Sequence, residues 1–361
     1  MRVKFTTIRR SAGLGLLVAI VAGAAAGAAA GAGAAGSASA VSDMQVLQRW
    51  KLGGAGGWDY LALDAAGEHL FLSRATRVDV VDTQTGKVIG TVPNTAGVHG
   101  IALAEDLKRG YASNGKSDSV TVFDLKTFAV IQEVKIPGHN PDAILYEPAG
   151  KHVFTFNGKS KDVTVLDASS LAVIATLPVP DKPEFAVDDG KGHIYVNIES
   201  ASGQISVIDS RKLSVTRTFP LPGCASPSGL AIDKPHHRLF SVCDEKTMAV
   251  TDAESGTQVA RVPVGEGPDA AAFDAKRGLV LSSNGEGTLT VVRQDSADHY
   301  SVQATIATQR GARTMAFDEA RGKIYLVTAN FEPPAAATAD QPHPRPVPTP
   351  DSFTVLVVGT R

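Results

Sequence analysis

The chain has 361 residues, of which 43% are hydrophobic and 20% charged, and its formal net charge at pH 7 is −2. These values are ordinary for a soluble globular protein, and they lack the basic excess expected of a nucleic-acid binder. The 35 glycines and 20 prolines suit many short strands joined by tight turns.

Residues 1–40 have the organisation of a secretory signal peptide. Arg2, Lys4, Arg9 and Arg10 precede an apolar run from residue 14 to residue 30, and the segment ends in Ala38-Ser39-Ala40. This small-x-small ending favours cleavage after residue 40 over a retained membrane anchor. We therefore expect a periplasmic or secreted mature chain, residues 41–361, with no stable membrane insertion. Removing four basic and no acidic residues would take the net charge from −2 to −6, which argues further against nucleic acid as a partner.

A repeat of about forty residues dominates the mature chain. Its mark is an alternating apolar strand that ends in aspartate, as in VDVVD, VTVFD and VTVLD. The closing aspartates lie 42, 43, 42 and 43 residues apart, at Asp82, Asp124, Asp167, Asp209 and Asp252. A fixed period of this length indicates stacked or radial units that cannot bury their apolar faces alone.

Each repeat unit reads as four antiparallel strands joined by hairpins, which predicts an all-β, seven-bladed β-propeller. Solenoid coils are usually shorter and lack four hairpin strands. The seven units begin near Trp58, Val98, Pro141, Pro183, Pro227, Pro268 and Ala312. The seventh unit lacks a fourth strand, whereas residues 44–52 form an unassigned strand before the first unit. We expect this N-terminal strand to complete blade seven and close the ring, in a single domain over residues 41–361.

The last unit also contains a proline-rich insertion at about residues 331–350. Seven prolines over this stretch favour an extended polyproline conformation rather than a strand. The insertion joins the second and third strands of its blade, so it should emerge on the upper face, where ligands usually meet propellers. It is either a lid or partner-docking arm, or a solvated insertion.

The chain contains two cysteines, Cys224 and Cys243. In an exported protein such a pair indicates a disulfide, and the strand pattern places both at the same end of one blade. The alternative, a thiol pair that binds metal, would need more Cys or His partners.

The second and third strands read YASNGKSDSVTVFD at residues 111–124 and YVNIESASGQISVID at residues 195–209. Together with the lead-ins GHNPD, GEGPD and CASPS, these segments resemble the YVTN-type repeat of the YncE-like family of exported bacterial propellers. The resemblance covers roughly residues 44–361 and implies a seven-bladed fold. It implies binding roles, including single-stranded DNA in one case, but no catalytic residues.

Aligning the units places one residue of each at the lead-in to the innermost strand, beside the channel mouth. These residues are Asp59, His99, Asp142, Glu184, Ser228, Asp269 and Arg313. Crowded carboxylates raise one another's pKa unless a cation or a donor relieves them. This rim is therefore suited to a metal ion, a cationic ligand or a general acid–base pair. The competing interpretation is that aspartate after proline only caps the turn.

A second layer follows the second strand of each blade. Asn114-Gly115, Asn157-Gly158 and Asn284-Gly285 are strong hairpin signals, so these asparagines are interpreted as turn residues. Arg74, Glu199 and Asn330 fit no turn rule and are better candidates for contact with a ligand. Trp58 and Tyr60 flank Asp59 and either stack on a ligand or pack between blades.

The sequence thus favours an exported, monomeric binding protein that holds a small ligand or a protein at its upper face, with no catalytic residue assigned. The first alternative is a metal-assisted hydrolase or lactonase, in which Glu184, Asn157, Asn197 and Asp269 would hold a divalent metal in the channel. The second alternative is a scaffold for assembly or for single-stranded nucleic acid. The ligand and the presence of a metal are left open.

Overall fold

The computed structural model describes residue 41, residues 43–333 and residues 346–361. The predicted signal peptide, 1–40, and part of the proline-rich insertion, 334–345, lie outside the described residues. No helix in the described part of the chain is long and apolar enough to cross a bilayer.

The described residues form 28 β-strands in seven antiparallel sheets of four, arranged as the blades of a propeller. The N-terminal strand is β1 (Met44–Lys51). Blade 1 consists of β2 (Leu61–Leu63), β3 (His69–Arg74), β4 (Arg77–Asp82) and β5 (Lys87–Val92). Blade 2 consists of β6 (Val98–Ala104), β7 (Arg109–Asn114), β8 (Ser119–Asp124) and β9 (Val130–Lys135), with a 3-10 helix at Glu105–Leu107. Blade 3 consists of β10 (Pro141–Glu147), β11 (His152–Asn157), β12 (Asp162–Asp167) and β13 (Val173–Pro178).

The remaining blades follow the same order from the channel outwards. Blade 4 consists of β14 (Lys182–Asp188), β15 (His193–Glu199), β16 (Gln204–Asp209) and β17 (Ser214–Pro220). Blade 5 consists of β18 (Leu230–Asp233), β19 (Arg238–Cys243), β20 (Thr247–Asp252) and β21 (Gln258–Pro263). Blade 6 consists of β22 (Pro268–Asp274), β23 (Leu279–Asn284), β24 (Thr288–Ser296) and β25 (His299–Ala307). Blade 7 consists of β26 (Met315–Asp318), β27 (Lys323–Thr328), β28 (Thr354–Thr360) and β1.

The two middle strands of each blade are buried on both faces, because a blade lies on either side of them. Alternation along a strand therefore decides which neighbouring blade a side chain contacts. In blade 3, Phe154 and Val165 pack in one cluster with Val196 of blade 4. The intervening Val153 packs towards blade 2 against Tyr111. Each such fully buried apolar side chain contributes about 1.5–3 kcal/mol to stability.

The closing aspartate of each repeat caps the turn that follows. Asp82 Oδ1 accepts hydrogen bonds from the backbone N–H of Thr85 and from its hydroxyl, at 2.7 and 2.8 Å. The corresponding bonds recur at Asp124, Asp167 and Asp252. The pKa of Asp82 is accordingly lowered by these bonds. The recurrent aspartates therefore have a structural role.

The ring closes through the N-terminal strand, which confirms the prediction from the sequence. β1 pairs antiparallel with β28, from Met44 opposite Thr360 to Lys51 opposite Thr354. β1 thereby supplies the fourth strand of blade 7 and joins the two ends of the described chain.

Cys224 and Cys243 form a disulfide, with their Cα atoms 5.2 Å apart. Cys243 ends β19, and Cys224 lies in the lead-in to the innermost strand of the same blade. The bridge therefore joins the lead-in of blade 5 to its second strand at the upper face.

Candidate functional site

The innermost strands bring their lead-ins together around the upper end of the central channel. Serine and threonine hydroxyls hold the backbone of these lead-ins across neighbouring blades. Ser113 of blade 2 donates to the carbonyl of Asp142 in blade 3 at 2.5 Å, and Thr314 of blade 7 donates to the carbonyl of Asp59 at 2.9 Å. Ser283 of blade 6 donates in the same way to the carbonyl of Arg313. The positions that the repeat alignment assigns to the rim are thus fixed by a shared backbone framework.

Three of the predicted rim residues, from blades 1, 2 and 3, lie in direct contact. His99 Nδ1 donates to Asp59 Oδ2 at 2.6 Å and lies 3.6 Å from Asp142 Oδ1. Burial opposes protonation of His99, but the hydrogen bond with Asp59 and the charge of Asp142 outweigh it and raise the His99 pKa. Burial also raises the pKa of Asp142 to about 6, with His99 acting in the opposite direction. We call Asp59, His99 and Asp142 the acidic triad.

A second cluster lies at blade 4. The Lys182 ammonium contacts the carboxyl groups of both Glu184 and Glu199, and Lys182 faces Glu199 across the β14–β15 ladder. Burial, the charge of Asp142 and a hydrogen bond with Glu199 raise the pKa of Glu184 to about 9. Burial would also raise the pKa of Glu199, but the hydrogen bonds with Glu184 and Lys182 outweigh it, so this pKa is lowered. Glu184 is therefore the protonated partner and Glu199 the ionised one at neutral pH.

Tyr60 and Phe185 meet across the channel. Tyr60 comes from blade 1 and Phe185 from blade 4, yet their ring centroids lie 5.4 Å apart. The Tyr60 hydroxyl lies 3.5 Å from Glu184 Oε2, and burial among carboxylates raises the Tyr60 pKa well above its usual value. The two rings thus link opposite sides of the ring of blades. We use the term cup for the space that the rim residues and these two rings enclose.

The remaining charged pair of the rim is formed by Asp269 and Arg313, with Arg313 Nε 3.2 Å from Asp269 Oδ2. Burial raises the pKa of Asp269, and the carboxylate of Asp269 in turn raises the pKa of Arg313. The Arg313 side chain is 59% exposed. The cup therefore combines five carboxyl groups with two permanent cations, Lys182 and Arg313.

Two open grooves lead away from the cup and meet at residues 57–59. One has a volume of about 860 Å³ and extends over blades 1–3, past His99 and Lys116 to Lys159. The other has a volume of about 760 Å³ and extends over blades 6 and 7, past Arg313 to Phe331 and Pro348. The described ends of the proline-rich insertion thus border the second groove, where Phe331 also pairs with Pro348.

Arg74 and Asn330 do not join the acidic cup. Arg74 is fully buried, and its Nη2 donates to the carbonyls of Gly53, Gly54 and Ala55 at 3.1, 3.2 and 3.3 Å. Its guanidinium also lies 3.7 Å above the ring of Phe353, so its contacts are within the fold and not with a ligand. Asn330 is exposed at the base of the proline-rich insertion, where it accepts a hydrogen bond from Gln309 at 3.3 Å.

The four-residue metal set considered for a lactonase does not assemble. Asn157 is fully buried and donates to Asp162 and Thr164 at 2.7 and 2.9 Å. Asn197 is also fully buried and donates to the carbonyls of Ser228 and Gly229. Both amides are used within the fold, so only Glu184 and Asp269 of that set face the cup.

Lys182 is the main residue that the sequence analysis missed. In the other lead-ins that carry a proline, its position holds Asn140, Ser226 or Gly267, each with positive φ. The backbone of Lys182 is in the β14 ladder instead. The lysine thus departs from the repeat, and the unit alignment contains the signal that identifies it.

Comparisons with known proteins agree with this architecture. A family model described as "Lactonase, 7-bladed beta-propeller" matches residues 61–171, from β2 to the turn before β13. A comparison with curated proteins found no match. Among solved structures, Kuenenia stuttgartiensis hydrazine synthase aligns with 18% identity and a TM-score of 0.67 over 75% of this chain and 92% of that one.

Two further solved structures are similar in fold at 10% identity and a TM-score of 0.70. They are the RRP9 WD40 repeats, over 88% of this chain and 98% of that one, and U3-55K, over 88% and 99%. These likenesses show the fold alone, and the family model covers less than half of the chain. The chain is a seven-bladed β-propeller, and its residues 61–171 are similar to a lactonase-type propeller family.

Proposed function

We propose that this protein is an exported, YncE-like propeller that binds a cationic ligand in the cup at its upper face. The observation that carries the proposal is the number of carboxyl groups that converge on the cup. Burial is the main cause of the raised pKa values of Asp142 and Glu184, and repulsion from neighbouring carboxylates adds to it. A cation in the cup would relieve that repulsion and favour the ionised carboxylates.

Export is proposed from residues 1–40, whose basic start, apolar run and small-x-small ending are those of a signal peptide. The disulfide between Cys224 and Cys243 supports this, because such bonds persist in oxidising compartments.

A binding role fits the construction of the cup better than the turn-capping alternative. An aspartate that only caps a turn accepts local backbone N–H groups, as Asp82 does. Asp142 instead lies beside His99 of the neighbouring blade, and Glu184 contacts Lys182 and Tyr60. The side chains of the rim thus face one another across blades.

Isothermal titration calorimetry with matched probes tests this proposal. The probes are 1,4-diaminobutane, the uncharged 1,4-butanediol and the dicarboxylate succinate, which share a four-carbon chain and differ in charge. We expect only the diamine to bind, and we expect the double substitution Glu184→Gln with Asp142→Asn to weaken its binding at least tenfold. The matched control is Glu266→Gln, because Glu266 is exposed on the upper face and pairs with Lys246 outside the cup. Equal binding of all three probes, or unchanged diamine binding by the double variant, would refute the proposal.

The second candidate function is lactone hydrolysis, and the match of residues 61–171 to a lactonase-type family model favours it. In this reaction the His99–Asp59 pair would take a proton from water as the water attacks the lactone carbonyl carbon. The ring C–O bond then breaks, and the leaving alkoxide takes the proton held by the His99–Asp59 pair, which gives the hydroxy acid and regenerates the base. A pH-stat assay with aliphatic γ- and δ-lactones tests it: His99→Ala should abolish turnover, and the same substitution at His139 should not. Absence of turnover by the unsubstituted protein would exclude this candidate for those lactones.

A further inference from the structure

We propose that the acidic triad, Asp59, His99 and Asp142, is a binding site for a divalent transition-metal ion, with Zn²⁺ as the best fit. The inference rests on the proposed function in that it places a cation in the same cup, and it adds the identity of that cation and its ligands. The site differs from the lactonase-type set considered from the sequence, because it lies on blades 1, 2 and 3 and includes an imidazole.

The three side chains supply one ligand atom each, and these atoms all lie within 4.8 Å of one another. In a tetrahedral zinc site with bonds of about 2.0–2.2 Å, ligand atoms lie about 3.3–3.6 Å apart. The 3.6 Å between His99 Nδ1 and Asp142 Oδ1 already has this value. The 2.6 Å between His99 Nδ1 and Asp59 Oδ2 is a hydrogen bond and would lengthen by under about 1 Å when the metal replaces its proton.

A second observation also indicates a ligand. Asp142 is only 9% exposed, yet within the described part of the chain its carboxylate accepts no hydrogen bond. Its charged neighbour is His99, whose Nδ1 lies 3.6 Å from Asp142 Oδ1, beyond hydrogen-bond distance. A buried carboxylate without a donor is costly, so a charged acceptor directed at two other ligand atoms fits a bound cation.

The backbone around the site is fixed in advance. The N–H of Asp59 donates to Ser73 Oγ at 2.8 Å, and its carbonyl is held by Thr314. The carbonyl of Asp142 is held by Ser113 in blade 2. A preorganised ligand set reduces the entropy lost on metal binding. The groove of about 860 Å³ opens onto Asp59 and His99 and leaves the fourth coordination position accessible to water or substrate.

The absence of a side chain at Gly115 leaves room for the imidazole ring of His99. A Cβ at this position would lie 2.7 Å from His99 Nε2 and 2.7 Å from Cδ2, closer than side-chain atoms approach. An alanine at position 115 would therefore displace the ring of His99. Gly115 is thus a positioning residue for the proposed site.

The donor atoms of the acidic triad favour some divalent metals over others. One imidazole with two carboxylates suits Zn²⁺, whereas Ca²⁺ and Mg²⁺ prefer sites made of oxygen. Two ionised aspartates and a neutral histidine also balance the charge of a divalent ion. We therefore expect Zn²⁺ to bind at least a hundredfold more tightly than Ca²⁺.

The experiment is calorimetric titration of ZnCl₂ into the EDTA-treated mature chain, together with the visible absorption spectrum of added Co²⁺. We expect one ion per chain and a tetrahedral Co²⁺ spectrum. His99→Ala and Asp142→Asn should each weaken Zn²⁺ binding at least tenfold, and Gly115→Ala should weaken it less. The matched control is His139→Ala, because His139 forms a similar pair with Asp118 at 2.9 Å on the same face.

Three outcomes would overturn the inference: no stoichiometric Zn²⁺ binding, equal binding of Ca²⁺, or a loss in the His139 variant as large as in the His99 variant. The diamine titration separates this failure from failure of the proposed function. Diamine binding without Zn²⁺ binding would refute the metal site alone, whereas the absence of both would refute both.

Discussion

Replacing Asp142 with asparagine should stabilise the fold at alkaline pH. Burial raises the pKa of this carboxyl from 3.8 to about 6, so the folded chain ionises it at a free-energy cost that the unfolded chain does not bear. Each pKa unit corresponds to about 1.4 kcal/mol, which makes the cost about 3 kcal/mol above pH 6. The favourable contribution of the protonated acid is present below pH 4 and is lost as the pH rises through 6. Asparagine keeps the shape of the protonated acid and avoids the loss.

Urea denaturation of the unsubstituted chain and the Asp142→Asn variant, without divalent metal, measures this effect. The gain in the free energy of unfolding should be largest at pH 8, where it approaches about 3 kcal/mol and raises the melting temperature by roughly 5 °C. At pH 4 the gain should fall well below 1 kcal/mol. The ion pair with His99, which the substitution removes, reduces the gain wherever His99 is protonated.

Asp118 provides a control of opposite sign. Hydrogen bonds from the Asn140 N–H and from His139 lower its pKa, so its ionised form stabilises the fold. Asp118→Asn should therefore lower stability at pH 8, and the loss should fade as the pH drops below the usual range of a carboxyl. If both variants destabilise the fold at pH 8, the assignment of uncompensated charge to Asp142 is incorrect.

Three further predictions follow from the contacts described above. Arg74→Met should cost about 2–4 kcal/mol in urea denaturation, because the carbonyls of residues 53–55 and the buried carboxylate of Asp79 lose the contacts of a buried guanidinium. Arg77→Met, at a partly exposed position, should cost less. Cys224→Ser should lower the free energy of unfolding by about 2–4 kcal/mol, and reduction should affect the parent chain but not this variant. Diamine affinity should rise between pH 5 and pH 7, because the cation stabilises the ionised form of Asp142, whose pKa is about 6. Calorimetric titrations in buffers of different ionisation enthalpy should show that Asp142 releases a proton when the diamine binds.

The fold was predictable because its determinants are local. Strand alternation and turn capping are decided within each repeat unit of about 42 residues. Counting the strands shows that the seventh unit lacks its fourth strand and that the N-terminal strand belongs to no unit. The pairing of β1 with β28 is the consequence of that count. The capping aspartates show the same locality, since Asp82 binds residues only two and three positions away.

The site was predictable only in part, because its contacts are not local. The alignment of units predicts which positions lie at the rim, and there the structure places Asp59, His99 and Asp142. It does not show that Tyr60 reaches Phe185, since that contact joins residues 125 positions apart across the channel. Arg74 shows the opposite error: it breaks the repeat because it fills the space beneath the loop at residues 53–55, and the sequence does not show which way its side chain points.

A residue that departs from the repeat therefore indicates a functional site when its side chain contacts other departing residues. Arg74 is a single departure from the repeat in its blade. Its contacts are with the loop at residues 53–55 and with Phe353, so they stabilise the fold near the ring closure. In blade 4, Lys182 replaces a residue of positive φ, Glu184 replaces an aspartate, and Glu199 follows no turn rule, yet the three side chains contact one another. Turn chemistry acts on each position separately, so it does not explain why three changes in one blade form a single charged cluster. A requirement of the cup for charges at defined positions explains all three, and we therefore propose that the ligand lies between this cluster and the acidic triad.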